Sequence, residues 1–121
     1  MNYYFPKLKK WHIVVSEKND VDRLKALCQS DHVRRFAFIK HSRSFDGRPH
    51  YHFYIELKAA VDELGLEDLA DVPCYKAYPV KASEDVVLGY ILKGFTVDDL
   101  QSGIFFTNIR KFTCYNAVQA L

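Results

Sequence analysis

Apolar and polar positions along the chain switch between a two-residue and a three-to-four-residue spacing, and each switch marks a change of element. "WHIVVS" (Trp11 to Ser16) is a short β-rich run, followed by Asn19 and Asp20 as caps of a helix "VDRLKALCQ". "RRFAFIKHS" and "HYHFYIEL" read as two strands joined through Asp46-Gly47, a dipeptide favoured in hairpin turns. A helical stretch is expected from Ala59 to Ala70, weakened by Gly65, and then a strand "CYKAYPV" in which Pro79 points to a sheet edge. Ser83 caps a helix "EDVVLGYILK", with Glu84 and Asp85 in its first turn and Gly94 as its stop. "IFFTNIRKF" is the last strand. The order β-α-β-β-α-β-α-β is that of an α+β fold, a ferredoxin-like antiparallel sheet with helices packed on it.

A turn centred on Asp46-Gly47 sets a register in which partner numbers across the hairpin sum to 93. Phe36 then opposes Leu57, and Phe38 opposes Ile55, on an apolar face shared with Tyr51 and Phe53. The other, polar face carries Ala37 with Glu56, Ile39 with Tyr54, His41 with His52 and Arg43 with His50. Three imidazoles, or two with a carboxylate such as Asp46 or Glu56, could hold a divalent ion there. The plainer alternative is that two histidines one residue apart merely share a solvated strand face.

Composition narrows the function classes. The chain has 121 residues, 49% hydrophobic and 26% charged, the profile of one ordinary globular domain. Apolar runs such as "VVLGYIL" are too short to span a membrane, and "MNYYFPKLKK" lacks the apolar stretch of a secretory signal, so a cytoplasmic address is expected. Three widely spaced cysteines without a CxxC pair are expected to be reduced packing residues. Net charge is only +2, but Lys40, Arg43 and Arg48 crowd the hairpin and could bind backbone phosphates at the metal face, where Tyr54 could stack a base.

Tyr90 and Lys93 stand three apart in the helix capped by Ser83, on one helical face. A tyrosine so placed usually belongs to a core, and a lysine one turn on usually reaches for water. Their position after an HxH strand changes that reading. "HYH" (His50 to His52) followed by "YILK" (Tyr90 to Lys93) resembles the HUH superfamily of single-strand DNA endonucleases, and within it the single-tyrosine replication initiators (Rep) of rolling-circle plasmids and viruses, those of archaeal rod-shaped viruses included.

The resemblance implies a single HUH Rep nuclease domain over residues 1–121, without a helicase domain. It implies Tyr90 as nucleophile, a covalent 5′-phosphotyrosine with a free 3′-OH, and Lys93 steadying the phenolate or phosphate. His50 and His52 would hold Mn²⁺ or Mg²⁺, with His41, Asp46 or Glu56 as third ligand; many family members place a glutamate on the strand that here offers His41. The implied partners are single-stranded DNA at a replication origin or terminus and a host or viral helicase and polymerase. Joining two strands with one tyrosine requires a homodimer or the 3′-OH as second nucleophile. Two alternatives stand beside it. A transposase or relaxase relative would usually carry YxxxQ, where position 94 is Gly. A non-enzymatic ferredoxin-like nucleic-acid-binding module would not need Tyr90 with Lys93.

Overall fold

Trp11, Ile13 and Val15 alternate along the first strand and are all buried, which fixes that strand's inner face. In the computed structural model, which describes residues 7–41, 49–73 and 76–115, this strand is β1 (Leu8–Val15). It is followed by α1 (Lys18–Cys28), β2 (Val33–His41), β3 (His50–Val61), α2 (Glu63–Ala70), β4 (Ala77–Pro79), α3 (Glu84–Ile91) and β5 (Phe105–Thr107). The fold is α+β, with an open five-stranded antiparallel sheet of order β4-β1-β3-β2-β5 and helices packed on it. The order of these elements is the one expected from the sequence, but a short helix at Val97–Asp99 was not expected, and the last strand stops at Thr107, with a 3-10 helix over Arg110–Tyr115 where strand was expected to continue. Among the described residues no helix is long and apolar enough to cross a membrane.

The twelve-residue β3 pairs on both sides and divides the interior in two. On one face Phe53, Ile55 and Leu57 join Phe36, Phe38, Trp11 and Ile13 beneath α1 and α2, whose Val21, Leu24, Leu27 and Leu66 complete the larger core. Each such side chain contributes about 1.5–3 kcal/mol when fully buried. On the other face Ala37, Ile39 and Tyr54 pack with Leu88 and Ile91 of α3, Leu100, Phe105 and Ile109. The face expected to be polar is therefore largely roofed by a second core, because α3 and the chain leading into β5 fold back over it.

Several boundaries differ from expectation, each for a local reason. α1 begins at Lys18 with Glu17 as its N-cap residue, so Asn19 and Asp20 lie inside the helix. The buried Asp20 carboxylate instead pairs with Lys76 at 2.5 Å. β3 runs on to Val61, which pairs with Leu8, so residues 59–61 are strand. The helix waits for Asp62, whose carboxylate accepts a bond from the Gly65 N–H at 2.7 Å. Cys28 is buried, and desolvation pushes its thiol pKa up, as suits an inert packing residue.

The hairpin register also differs. From Arg35 to His41, partner numbers sum to 91 rather than 93, so Phe38 faces Phe53, Ile39 faces His52 and His41 faces His50. A shift of two preserves every side chain's face, since the pleat repeats every two residues. His41 thus becomes a diagonal neighbour of His52. The Asp46-Gly47 turn itself lies outside the described residues.

β5 is tied to β2 partly through side chains. The buried Thr107 hydroxyl donates to the Phe36 carbonyl at 2.7 Å and accepts from the Ile109 N–H at 3.0 Å. The Asn108 amide extends the ladder, accepting from Phe36 N–H at 2.7 Å and donating to the Arg34 carbonyl at 3.1 Å. Replacing Thr107 by the near-isosteric Val leaves a buried N–H unpaired, and a loss of about 1–3 kcal/mol is expected. Urea unfolding of Thr107→Val checks this.

Candidate active site

The pleat of β3 sends His50, His52 and Tyr54 to the face that α3 partly covers, and β1 and β2 add a histidine on either side. His12, opposite Tyr54 on β1, places Nε2 2.9 Å from His52 Nδ1, with ring centroids 5.1 Å apart. His41, on β2, lies 4.2 Å from the His52 ring, centroid to centroid. His52 is therefore the middle of a row His12-His52-His41 running across three strands. His12 was missed in the sequence, although alternation through Trp11, Ile13 and Val15 places it on this face.

All three imidazoles have their pKa lowered. For His52 burial is the largest cause, followed by repulsion from His41, His12 and His50, and together they push it down to about 3. His12 is lowered by burial and by His41. In His41, burial and the charge of His50 outweigh a hydrogen bond between Nε2 and the Ile91 carbonyl, 3.1 Å away. The rings are thus neutral at pH 7, the form in which imidazole binds metals. The Ile91 carbonyl requires a proton on Nε2 of His41, which leaves the Nδ1 lone pair available. A bond from the second ring nitrogen to a backbone carbonyl is a common support for a metal-ligating histidine.

A divalent ion can be tested against this arrangement. His12 Nε2 and His52 Nδ1 share a hydrogen bond at 2.9 Å, so one nitrogen carries the proton and the other turns its lone pair to it; an ion held by both requires that proton to leave and the rings to turn. Among the described residues no group of three or more His, Cys, Asp or Glu side chains holds its donors ready for an ion as placed. Neutral imidazoles suit a divalent ion chemically, but their placement here is that of a hydrogen-bonded row. Glu56 is four residues from His52 along β3, about 13 Å, and faces Arg34 at 3.7 Å. Asp46 lies outside the described residues.

α3 brings Tyr90 to this row. Ser83 caps its N-terminus, accepting from the Val86 N–H, and Leu88 and Ile91 bury their side chains in the second core. Arg35 on β2 grips the first turn through a bidentate pair with Glu84 at 2.8 and 2.7 Å. These anchors leave Tyr90 68% exposed, with its ring edge-on to His12 at 6.3 Å between centroids. The helix ends at Ile91, and Gly94 takes the left-handed φ of 85° that stops it. Lys93 accordingly lies exposed in the turn beyond the helix rather than on one helical face with Tyr90.

Two of the expected DNA contacts change place. Tyr54 is fully buried beneath α3, so no ring face is open to a base, and burial, with the charge of Glu84 beside it, raises its phenol pKa. Alternation puts Lys40 on the face opposite His41, its ammonium 6.0 Å from the Tyr51 ring. Arg43 and Arg48 lie outside the described residues.

No protein-family model matches the chain, and no curated protein matches it either.

Folded-state pKa values below the ordinary 6.5 mean that the unfolded chain binds more protons at these histidines between pH 6.5 and the lowered values. Their contribution to stability is fully present above pH 6.5 and is lost as pH falls. With chelator present, the urea midpoint should drop between pH 7 and pH 5, where most carboxylates are still ionised. His52→Gln should flatten that slope, as paired titrations of the two proteins would read out.

Proposed function

We propose that this chain nicks and rejoins single-stranded DNA through a covalent 5′-phosphotyrosine on Tyr90, and so initiates replication of a virus or plasmid. The observation that carries the reading is the meeting of Tyr90 with the histidine row: an exposed phenol edge-on to His12, itself hydrogen-bonded to His52 of the HxH strand. The sequence separation of these groups makes the meeting informative, since Tyr90 stands 38 positions from His52.

The chemistry follows from the groups present. The Tyr90 oxygen attacks the phosphorus and gives its proton to solvent; the bond from phosphorus to the 3′-oxygen breaks, and that oxygen leaves as a 3′-OH after taking up a proton. Mn²⁺ or Mg²⁺, if held by His52 with ligands drawn from His12, His41 and His50, would supply positive charge for the non-bridging oxygens. The protein's share is positioning. α3 is fixed by Arg35 at its start and by Leu88 and Ile91 along its length, so the backbone that carries the phenol is held beside His12. Lys93, exposed just past the helix end, is on this reading the cation for the phosphate.

The phosphotyrosine conserves the energy of the broken bond, so the 3′-OH can reverse the reaction or prime a polymerase. On this reading the partners are single-stranded DNA at a replication origin or terminus, a host or viral helicase and polymerase, and either a second copy of the chain or the 3′-OH for joining two strands. The place of action is the host cytoplasm.

Incubating the protein with end-labelled single-stranded oligonucleotides and Mn²⁺ should give a covalent adduct that chelator prevents. Tyr90→Phe should lower adduct formation at least about 10³-fold, as removal of a nucleophile does, while binding DNA as wild type. Adduct formation by Tyr90→Phe at the wild-type rate would remove Tyr90 from the mechanism. A second expectation concerns the clamp: Arg35→Met removes the bidentate partner of Glu84, which keeps the Tyr54 hydroxyl, and about 1 kcal/mol of stability should go with it, together with a slower adduct rate at saturating DNA. Urea unfolding and single-turnover kinetics measure the two.

A further inference from the structure

Between the β4 edge and α3 lies a cleft of about 310 Å³, with Tyr78 and Val80 on the strand side, Val86 and Tyr90 on the helix side, and His12 and Lys81 also in its lining. Five large hydrophobic side chains are well exposed among the described residues, and three of them, Tyr78 at 56%, Val86 at 62% and Tyr90 at 68%, line this one cleft. Apolar exposure gathered in a concave site marks a surface kept for a ligand. The Tyr78 ring lies 6.2 Å from His12, so the cleft adjoins the histidine row.

We propose that this cleft binds one nucleobase of the single strand, a nucleotide next to the phosphate that Tyr90 attacks. The inference rests on the endonuclease reading and adds to it a site that selects how the strand lies. Three observations favour a base over other occupants. The volume is at the lower limit of small-molecule sites, suited to one flat group rather than to a peptide helix. The exposed Tyr78 ring offers a stacking surface, and base–aromatic stacking contributes about 1–3 kcal/mol. The nucleophile lines the cleft, so a strand whose phosphate reaches the Tyr90 hydroxyl has a neighbouring base at the cleft mouth, and Lys81 supplies a cation for its backbone. With Tyr54 buried, Tyr78 takes over the stacking role expected of that residue.

The test uses the full chain. Wild-type protein first maps the scissile phosphate by adduct formation. Tyr90→Phe, which keeps the ring lining the cleft, is then titrated with oligonucleotides carrying one abasic position at a time. One abasic position adjacent to the scissile phosphate should weaken binding by about 5- to 150-fold, the factor to which 1–3 kcal/mol converts. Adding Tyr78→Ala should abolish that sensitivity, the intact and abasic strands then binding alike, and Tyr78→Phe should restore it. Adduct formation with a flat abasic profile, or a profile that Tyr78→Ala leaves unchanged, overturns the base site and leaves the endonuclease reading standing. No adduct with any oligonucleotide overturns the endonuclease reading and the base site with it.

Discussion

The pleat of β3 is the constraint on which the rest of the molecule depends. Because successive side chains alternate, Phe53, Ile55 and Leu57 can fill the larger core only if His52, Tyr54 and Glu56 go to the opposite face. Pairing on both sides then forces β1 and β2 into step, and with them His12 and His41. A one-residue slip of β3 would turn two histidines into the apolar core and three large hydrophobic residues out of it. The cost of that exchange, several side-chain burials at once, is what holds the imidazoles in their row.

The second core does a different task. Leu88 and Ile91 give α3 a firm seat with only two helical turns, and the Arg35–Glu84 pair fixes its first turn against β2. Seat and clamp lie on the side of the helix facing the sheet, so Val86 and Tyr90 are left outward, toward the β4 edge. The ends of the helix are also defined, by Ser83 at its start and by the left-handed Gly94 beyond it. A short helix anchored in this way fixes the backbone of Tyr90 beside the His12 ring and leaves its phenol exposed.

Much of this was legible in the sequence, and the failures share a cause. Element order followed from period and caps, and the faces of the hairpin survived a register error because an error of two is invisible to a two-residue pleat. Alternation shows which face a residue occupies but not what covers that face. Tyr54 therefore looked open and is buried under α3, and the face that looked polar is half core. Lys40 and His12 were within reach of the same rule: strict alternation puts Lys40 opposite His41, and the buried positions of β1 put His12 beside His52. What alternation cannot supply is which strand neighbours β3 on its far side, and the β1–β3 pairing, forty residues apart in sequence, decides that His12 joins the row.

Three neutral imidazoles held against one another pose an energetic question of their own. Each lowers its neighbours' pKa by disfavouring a second positive charge, and burial adds to the effect, so protonation of one ring is resisted by all. Without a further charge the row is satisfied only by sharing protons: His12 and His52 share one bond, and His41 turns to the Ile91 carbonyl. That bond ties the row to the C-terminal end of the helix carrying Tyr90, one residue before Ile91. The histidine row and the backbone that carries Tyr90 are therefore joined by a direct hydrogen bond. A row assembled across three strands is thereby held against the helix that carries Tyr90.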